Sequence, residues 1–297
     1  MLFKSLSPAE SIDSRFDDLL HVFDYIPLPI VLMTSSAQEN YTTSMFLEIW
    51  NRRLSKHNEC QPHNDNSDLM NRLDYSIAMS LEGPLIKSNP KVPEPLRIIA
   101  DLPGGIRRKN LQRIVPLIHD IDRLAAVLIQ TSLLMNSPDV LQMHSTIRSH
   151  MLRNYALNAS HNEGIQAFYF QLIHNAGGNP GNQDFLERTR SLSDEETNAE
   201  TLLLDALEHN FSTSVSIALD YSNCLTCNIP HLDVPKKTLE LIRNQPLRGA
   251  DSWLLLALLR LGNVHLRLND FPNAIEALQE AVDLYEKLNH LSWAAQA

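Results

Sequence analysis

Glycine, cysteine and charged residues are all scarce in this chain of 297 residues, which has nine glycines, three cysteines and 20% charged residues. So little glycine argues against a turn-rich all-β fold, a glycine-rich nucleotide-binding fold and a collagen-like chain, and leaves helices as the default. Three cysteines are too few, and odd in number, for the disulfide framework of a small secreted domain. The hydrophobic fraction of 43% excludes global disorder, and the length allows a sizeable core.

The chain also lacks a long apolar run. The run at residues 26–33 is too short, and too interrupted by proline, to span a bilayer, and no signal-peptide core follows the first residues. The net charge of −10 opposes binding to nucleic acid or to an anionic membrane. We therefore expect an intracellular protein, cytoplasmic or nuclear, whose three Asn-x-Ser/Thr sequons are chance matches.

Three irregular stretches divide the sequence. They are a polar stretch at residues 57–67, a stretch with five prolines at 83–105 and a stretch at 177–198 that opens with Gly-Gly-Asn-Pro-Gly. Prolines exclude a long regular helix, and clusters of polar residues mark loops. The predicted regions are an N-terminal helical region with its proline-rich linker at 1–105, a central helical region at 106–192 and a helical repeat region at 193–297.

Apolar residues recur with a helical period between these stretches, which predicts a mostly α fold. The periodic segments are residues 14–25, 44–54, 67–81, 107–134, 139–158, 163–176, 198–209 and 212–225. Pro116 interrupts one of them and predicts a break near Val115. Ser193, with Glu196 three residues later, predicts the N-cap of the helix that follows. Short linkers between the later segments favour antiparallel helix pairs.

The most specific pattern lies in residues 255–288, where two apolar helical segments flank the turn Asn269-Asp270-Phe271. Gly262 and Ala274 are small, which lets the two helices approach closely, and Ala281 completes a set of small residues. This pattern resembles the tetratricopeptide repeat, a pair of antiparallel helices of 34 residues. Two positions depart from the family: His265 replaces the usual aromatic residue, and Glu286 replaces a frequent helix-ending proline.

One such repeat cannot bury both of its faces, so the resemblance implies that at least three units stack into a superhelix. Residues 232–245 are a candidate second helix of an earlier pair. Residues 153–176, with a turn at Asn162-Glu163-Gly164, are a candidate for another. Residues 291–297 look like the opening of a further repeat helix, from which we expect a fragment or short isoform of a longer array, or an end that docks on a partner.

In the tetratricopeptide family the first helices line a concave groove. The resemblance implies groove-facing residues at Leu256, Leu259, Arg260, Asn263, Leu266 and Arg267. Arg260, Asn263 and Arg267 share one helical stripe, and they suit a carboxylate or an acidic peptide, although a solvated surface fits them as well. The sequence thus predicts a non-enzymatic interaction scaffold or adaptor that binds a protein or acidic peptide within a multi-protein complex.

A second interpretation concerns residues 16–132, which resemble a PAS-type α/β sensor domain. It takes three segments rich in β-branched residues as strands. They are Ile30–Met33, Leu111–His119 and Leu124–Thr131. Helical and strand periodicities both fit the last two segments. This alternative implies a sensory regulator with a C-terminal interaction module.

The sequence predicts no catalytic residue, no cofactor and no metal site, and hence no enzyme. Cys224-x-x-Cys227, with His231 four residues later, and Cys60-x-x-His63 have the spacing of zinc ligands. The two halves are far apart, however, and Cys224 lies in an apolar helical pattern typical of a buried thiol. His119-Asp120 with Asp122 lacks the further histidines that a metal-dependent phosphohydrolase needs.

Overall fold

The computed structural model describes residues 26–36, 65–177, 183–227, 230–244 and 250–294, together with residues 21, 47, 48, 50 and 52. This part of the chain is mostly α, with fourteen α-helices and one small sheet. It falls into two compact units, the first ending at Asn162 and the second beginning at Glu163. The predicted division into three regions stays a prediction. None of the helices in the described ranges is long and apolar enough to cross a membrane.

The first unit combines seven helices in its described part. They are α1 (Pro27–Ser36), α2 (Asp65–Leu81), α3 (Pro84–Lys87), α4 (Pro93–Ala100), α5 (Leu111–Ile114), α6 (Ile121–Gln130) and α7 (Ser145–Asn154). Helix α2 packs against α1 and α7, and α4 packs against α6 and α7. The proline-rich stretch holds two short helices that begin at Pro84 and Pro93, because the first position of a helix needs no N–H donor.

The same unit contains a three-stranded antiparallel sheet that the sequence analysis missed. Its strands are β1 (Ile106–Arg107), β2 (Met135–Asn136) and β3 (Val140–Gln142), with β3 in the centre. Gly105 precedes β1 with a φ of 77°, and a Cβ there would lie 2.5 Å from the Leu141 carbonyl oxygen, so only glycine fits. The helix predicted at 139–158 is therefore wrong at both ends, since it begins at Ser145 and ends at Asn154.

The three strands that the PAS-like alternative requires are wrong, because most of their residues lie in helices. Residues 30–33 lie in α1, residues 111–114 form α5, and residues 124–130 lie in α6. Helix α6 buries Ile121, Leu124, Ala125 and Leu128, a helical spacing, so burial of one apolar stripe outweighs the β-branched composition. The break predicted near Val115 is confirmed, since α5 ends at Ile114 and α6 begins at Ile121.

The second unit is a run of consecutive helices. They are α8 (Ala159–Ala176), which begins just before the unit does, α9 (Phe185–Ser193), α10 (Glu196–His209), α11 (Phe211–Cys224), α12 (Asp233–Asn244), α13 (Ala250–Arg267) and α14 (Phe271–Ala294). From α9 onward each helix packs against the next, and α10 and α11 also contact the helix after next, α12 and α13. The predicted pairing of adjacent helices is confirmed.

Two local predictions in this unit are wrong. Ser193 is the last residue of α9, and α10 begins at Glu196 behind Glu195, which makes no side-chain capping bond. The turn predicted at residues 162–164 lies inside α8, where a Cβ on Gly164 would meet nothing within 4 Å. Glycine allows the backbone conformations of a turn but does not impose them. A helix can therefore contain a glycine at a modest cost in stability. The helices predicted at 14–25 and 44–54 fall almost wholly outside the described residues.

Candidate interaction site

The helical hairpin of α13 and α14 rests on small residues. A Cβ added to Gly262 would lie 2.7 Å from Leu278 Cγ, so the missing side chain lets α14 approach α13 closely. Ala274 and Ala281 of α14 are buried as well. The close approach of the two helices that the sequence predicted at Gly262 and Ala274 is confirmed. Helix α12 adds a further link to α14, because Arg243 Nη2 donates to both carboxylate oxygens of Glu280 at 2.6 and 2.7 Å.

Hydrogen bonds close the turn of this hairpin. His265 is buried, and its Nδ1 lies 2.8 Å from Asp270 Oδ2, while the Asp270 N–H donates to the His265 carbonyl. Asn273 donates to the same carboxylate oxygen, and this bond is the main reason that the pKa of Asp270 lies below its usual range. Asn269 takes a φ of 58°, which asparagine tolerates. His265 thus fills a buried position and links across the turn to Asp270.

The predicted groove residues occupy one side of α13. Leu259 and Leu266 are 37% and 41% exposed, and Arg267 is exposed beside them. Leu256 and Asn263 are half-buried on the same stripe. These side chains form an apolar strip with one exposed cation at the C-terminal end of the helix, while their role in binding stays a prediction.

Arg260 differs from the other predicted groove residues. It is half-buried, and its Nε is shielded from solvent without a hydrogen-bond partner. Burial raises the pKa of the Cys224 thiol on α11 to about 12, and the positive charge of Arg260 partly opposes that rise. Arg260 is therefore less accessible than Arg267, which is exposed.

A second surface, which the sequence analysis did not identify, lies on α14. Four large apolar residues, Phe271, Ile275, Val282 and Tyr285, are between 49% and 67% exposed. Their spacings of four, seven and three residues place them on one side of the helix, beside the face that packs on α13. We call these four residues the α14 stripe. The sequence could have indicated this stripe, because the apolar residues of α14 cover more of the helix circumference than packing on α13 alone requires.

Acidic residues follow the α14 stripe on its far side. Glu276, Asp283 and Glu286 are exposed there, and Lys287 is the exposed basic residue among them. Gln279 donates a hydrogen bond to Asp283 at 2.9 Å along the same face. The surface is thus an apolar strip with a mostly negative border.

The remaining sequence candidates do not come together as sites in the described residues. Cys224 is buried and Cys227 is exposed, both as free thiols, while Cys60 and His63 lie outside the described residues. His119, Asp120 and Asp122 are exposed around the start of α6, where Asp120 forms an ion pair with Arg123. These positions are typical of a solvated helix end.

Comparison of the chain with known protein families, with curated proteins and with solved structures finds no match in any of the three. The described part of the chain is mostly helical, with paired adjacent helices.

Proposed function

We propose that residues 163–297 form a non-enzymatic interaction module of the tetratricopeptide type, which holds a partner protein within a larger intracellular complex. The observation that carries this proposal is the α14 stripe. Aligned and exposed apolar side chains with a polar border are the usual mark of a protein-binding surface, because exposing them to water in the free protein is unfavourable. The stacking of α10 to α13 on their neighbours supports the repeat-like character of the module.

The partner that fits the α14 stripe is an amphipathic helix. Residues spaced at three, four and seven positions on one helix match the apolar face of a second helix laid alongside it. Basic residues beside that apolar face would meet Glu276, Asp283 and Glu286, which steers association and sets the orientation. Each fully covered large apolar side chain contributes roughly 1.5–3 kcal/mol of burial.

The α13 face is the second contact surface of the same module. Leu259 and Leu266 supply apolar contact, and Arg267 supplies a cation for a carboxylate. We expect this surface to bind an acidic peptide, as the sequence predicted. Arg267, which is exposed, contributes more to that binding than the half-buried Arg260.

The test is affinity capture from cell extract with the full chain, read by quantitative mass spectrometry. The stripe variant combines Ile275→Glu and Val282→Glu, and the matched control is Leu186→Glu, which changes a leucine that is 75% exposed on α9. Proteins retained by the wild type and by Leu186→Glu should be lost from the stripe variant. Equal retention by all three chains, with circular dichroism showing each one folded, would exclude the stripe as the binding surface.

The α13 surface has its own arm in the same experiment. Arg267→Glu should lose partners that bind through acidic segments, while Arg190→Glu, an exposed arginine on α9, should keep them. If neither substitution changes the retained proteins, acidic peptides do not bind at α13.

A further inference from the structure

Three potential metal ligands meet in the second unit, although the chain separates them. Glu200 lies on α10, His231 lies in the segment before α12, and Asp233 is the first residue of α12. One ligand atom from each residue, a ring nitrogen and two carboxylate oxygens, lies within 4.8 Å of the other two. Sequence reasoning missed this group because α11 stands between Glu200 and His231, and only the packing of α10 on α12 brings them together.

The imidazole of His231 is oriented as a ligand. Its Nε2 lies 3.2 Å from the hydroxyl of the buried Tyr221 and 3.7 Å from Glu196 Oε1. Its Nδ1 is buried and makes no hydrogen bond, although Glu200 Oε1 is only 3.2 Å away. A histidine that binds a metal through one nitrogen usually engages the other in an outer hydrogen bond, and Tyr221 provides that bond here.

The distance between His231 Nδ1 and Glu200 Oε1 fits a shared cation. Two ligands that bind Zn²⁺ tetrahedrally at about 2.0–2.1 Å stand roughly 3.3 Å apart. The two atoms are 3.2 Å apart without the alignment of a hydrogen bond. Asp233 completes the group from an exposed position, where a side-chain rotation costs little.

The local charge favours a cation as well. Glu196, Glu200 and Asp233 place three carboxylates around a single imidazole. A divalent cation between these groups would relieve their repulsion.

We propose that Glu200, His231 and Asp233 bind a late first-row divalent cation of the Zn²⁺ class. One nitrogen and two carboxylate oxygens suit such an ion better than Ca²⁺ or Mg²⁺, which prefer all-oxygen sites. Tyr221 and Glu196 act as positioning residues that orient the imidazole. The ion links α10 to the start of α12, so its role is to stabilise the stacked helices. This proposal departs from the sequence prediction of no metal site, which stays untested.

The test is calorimetric titration of the full chain, without an affinity tag and stripped with chelator, by ZnCl₂. We expect one Zn²⁺ ion per chain, with MgCl₂ as a probe that gives no comparable heat. His231→Gln and Glu200→Gln should each weaken Zn²⁺ binding at least tenfold. Tyr221→Phe should weaken it less, because it leaves the ligands in place.

Matched controls separate this site from other zinc-binding side chains. His174→Gln changes an exposed histidine that pairs with Asp220, and a Cys60→Ser/Cys227→Ser chain removes two thiols, so both should keep the wild-type affinity. Zn²⁺ should also raise the melting temperature of the wild type and leave that of Glu200→Gln unchanged. The absence of stoichiometric binding, or wild-type affinity in both ligand variants, overturns the proposal. So does loss of binding in the cysteine control alone.

Discussion

Gly262 on α13 and Leu278 on α14 approach so closely that a methyl group on the glycine would lie 2.7 Å from Cγ and 2.8 Å from Cδ2 of the leucine. Glycine inside a helix costs about 1 kcal/mol relative to alanine. The hairpin retains it because a larger side chain would push the two helices apart. This pair of residues therefore connects the small-residue pattern in the sequence to the packing of the last two helices.

Gly262→Ala should destabilise the second unit in spite of its better helix propensity. The added methyl group overpacks the interface, and such changes cost about 1–3 kcal/mol. Urea denaturation followed by circular dichroism measures the change in the free energy of unfolding. Adding Leu278→Ala should recover part of that loss, because the methyl group then fills the vacated space. Simple additivity of the two substitutions would contradict this account.

Gly164→Ala is the matched control within α8. A Cβ there meets nothing within 4 Å, so only helix propensity and chain entropy change. We expect this substitution to stabilise the chain by roughly 0.5–1 kcal/mol. A loss of stability at Gly164 as large as the loss at Gly262 would show that the effect at Gly262 does not come from contact with α14.

Tyr169 belongs to a buried polar network whose loss should be costly. Its hydroxyl donates to Glu195 Oε2 at 3.0 Å, and Asn198 donates to the same hydroxyl at 3.0 Å. Tyr169→Phe removes one donor from a buried carboxylate, which costs about 1–3 kcal/mol. Tyr285→Phe, at an exposed tyrosine, should be nearly neutral in the same denaturation assay. Equal effects of the two substitutions would contradict a stabilising role for the network.

The same tyrosine predicts an alkaline limit to stability. Burial, and then the charge of Glu195 and the hydrogen bond to it, raise the pKa of Tyr169 above its ordinary value of 10. The folded chain holds this proton more tightly than the unfolded chain, so the stabilisation is complete below about pH 10 and falls as the pH rises further. Between about pH 9 and 11 the wild type should lose more unfolding free energy than Tyr169→Phe. Parallel pH profiles of the two proteins would contradict the prediction.

The two thiols of the Cys-x-x-Cys segment should differ sharply in reactivity. Burial raises the pKa of Cys224 from 9.0 to about 12, whereas Cys227 is exposed. A rise of that size makes the reactive thiolate on the order of a thousandfold rarer at neutral pH. Alkylation with iodoacetamide, followed by peptide mapping, should modify Cys227 quickly and Cys224 only after unfolding. Similar rates for both thiols in the native chain would show that Cys224 is accessible.

Sequence periodicity predicted most of the later helices, because each buries one apolar stripe against a neighbour close in the chain. The hairpin of α13 and α14 shows this most clearly. Gly262 and Ala274 are small because the two helices are in contact there, and the residues at 269–271 are typical of a turn. Periodicity missed α9 (Phe185–Ser193), which lies in the stretch at 177–198 that was taken as irregular. Local signals failed where another element decides the outcome. Ser193 and Glu196 have the spacing of a capping box, yet Ser193 is the last residue of α9. The residue that precedes α10 is Glu195.

The sheet and the metal-ligand group could not be predicted for related physical reasons. Strands of two or three residues, such as β1 and β3, are too short to show alternation, and they exist because Ile106 pairs with Leu141 far along the chain. Glu200 and His231 likewise become neighbours only through helix packing. The α14 stripe was visible as apolar residues, but whether those residues are covered or exposed depends on what packs beside them.

The bonds that close the turn between α13 and α14 also bear on the order in which the chain folds. His265, Asp270 and Asn273 join within nine residues, and the hairpin they close packs along its length through contacts between near neighbours in sequence. Contacts of this kind need little loop-closure entropy and form fast. Pulse-labelling hydrogen exchange should therefore show early protection in α13 and α14, before the strands β1 and β3 pair, and His265→Ala should delay it.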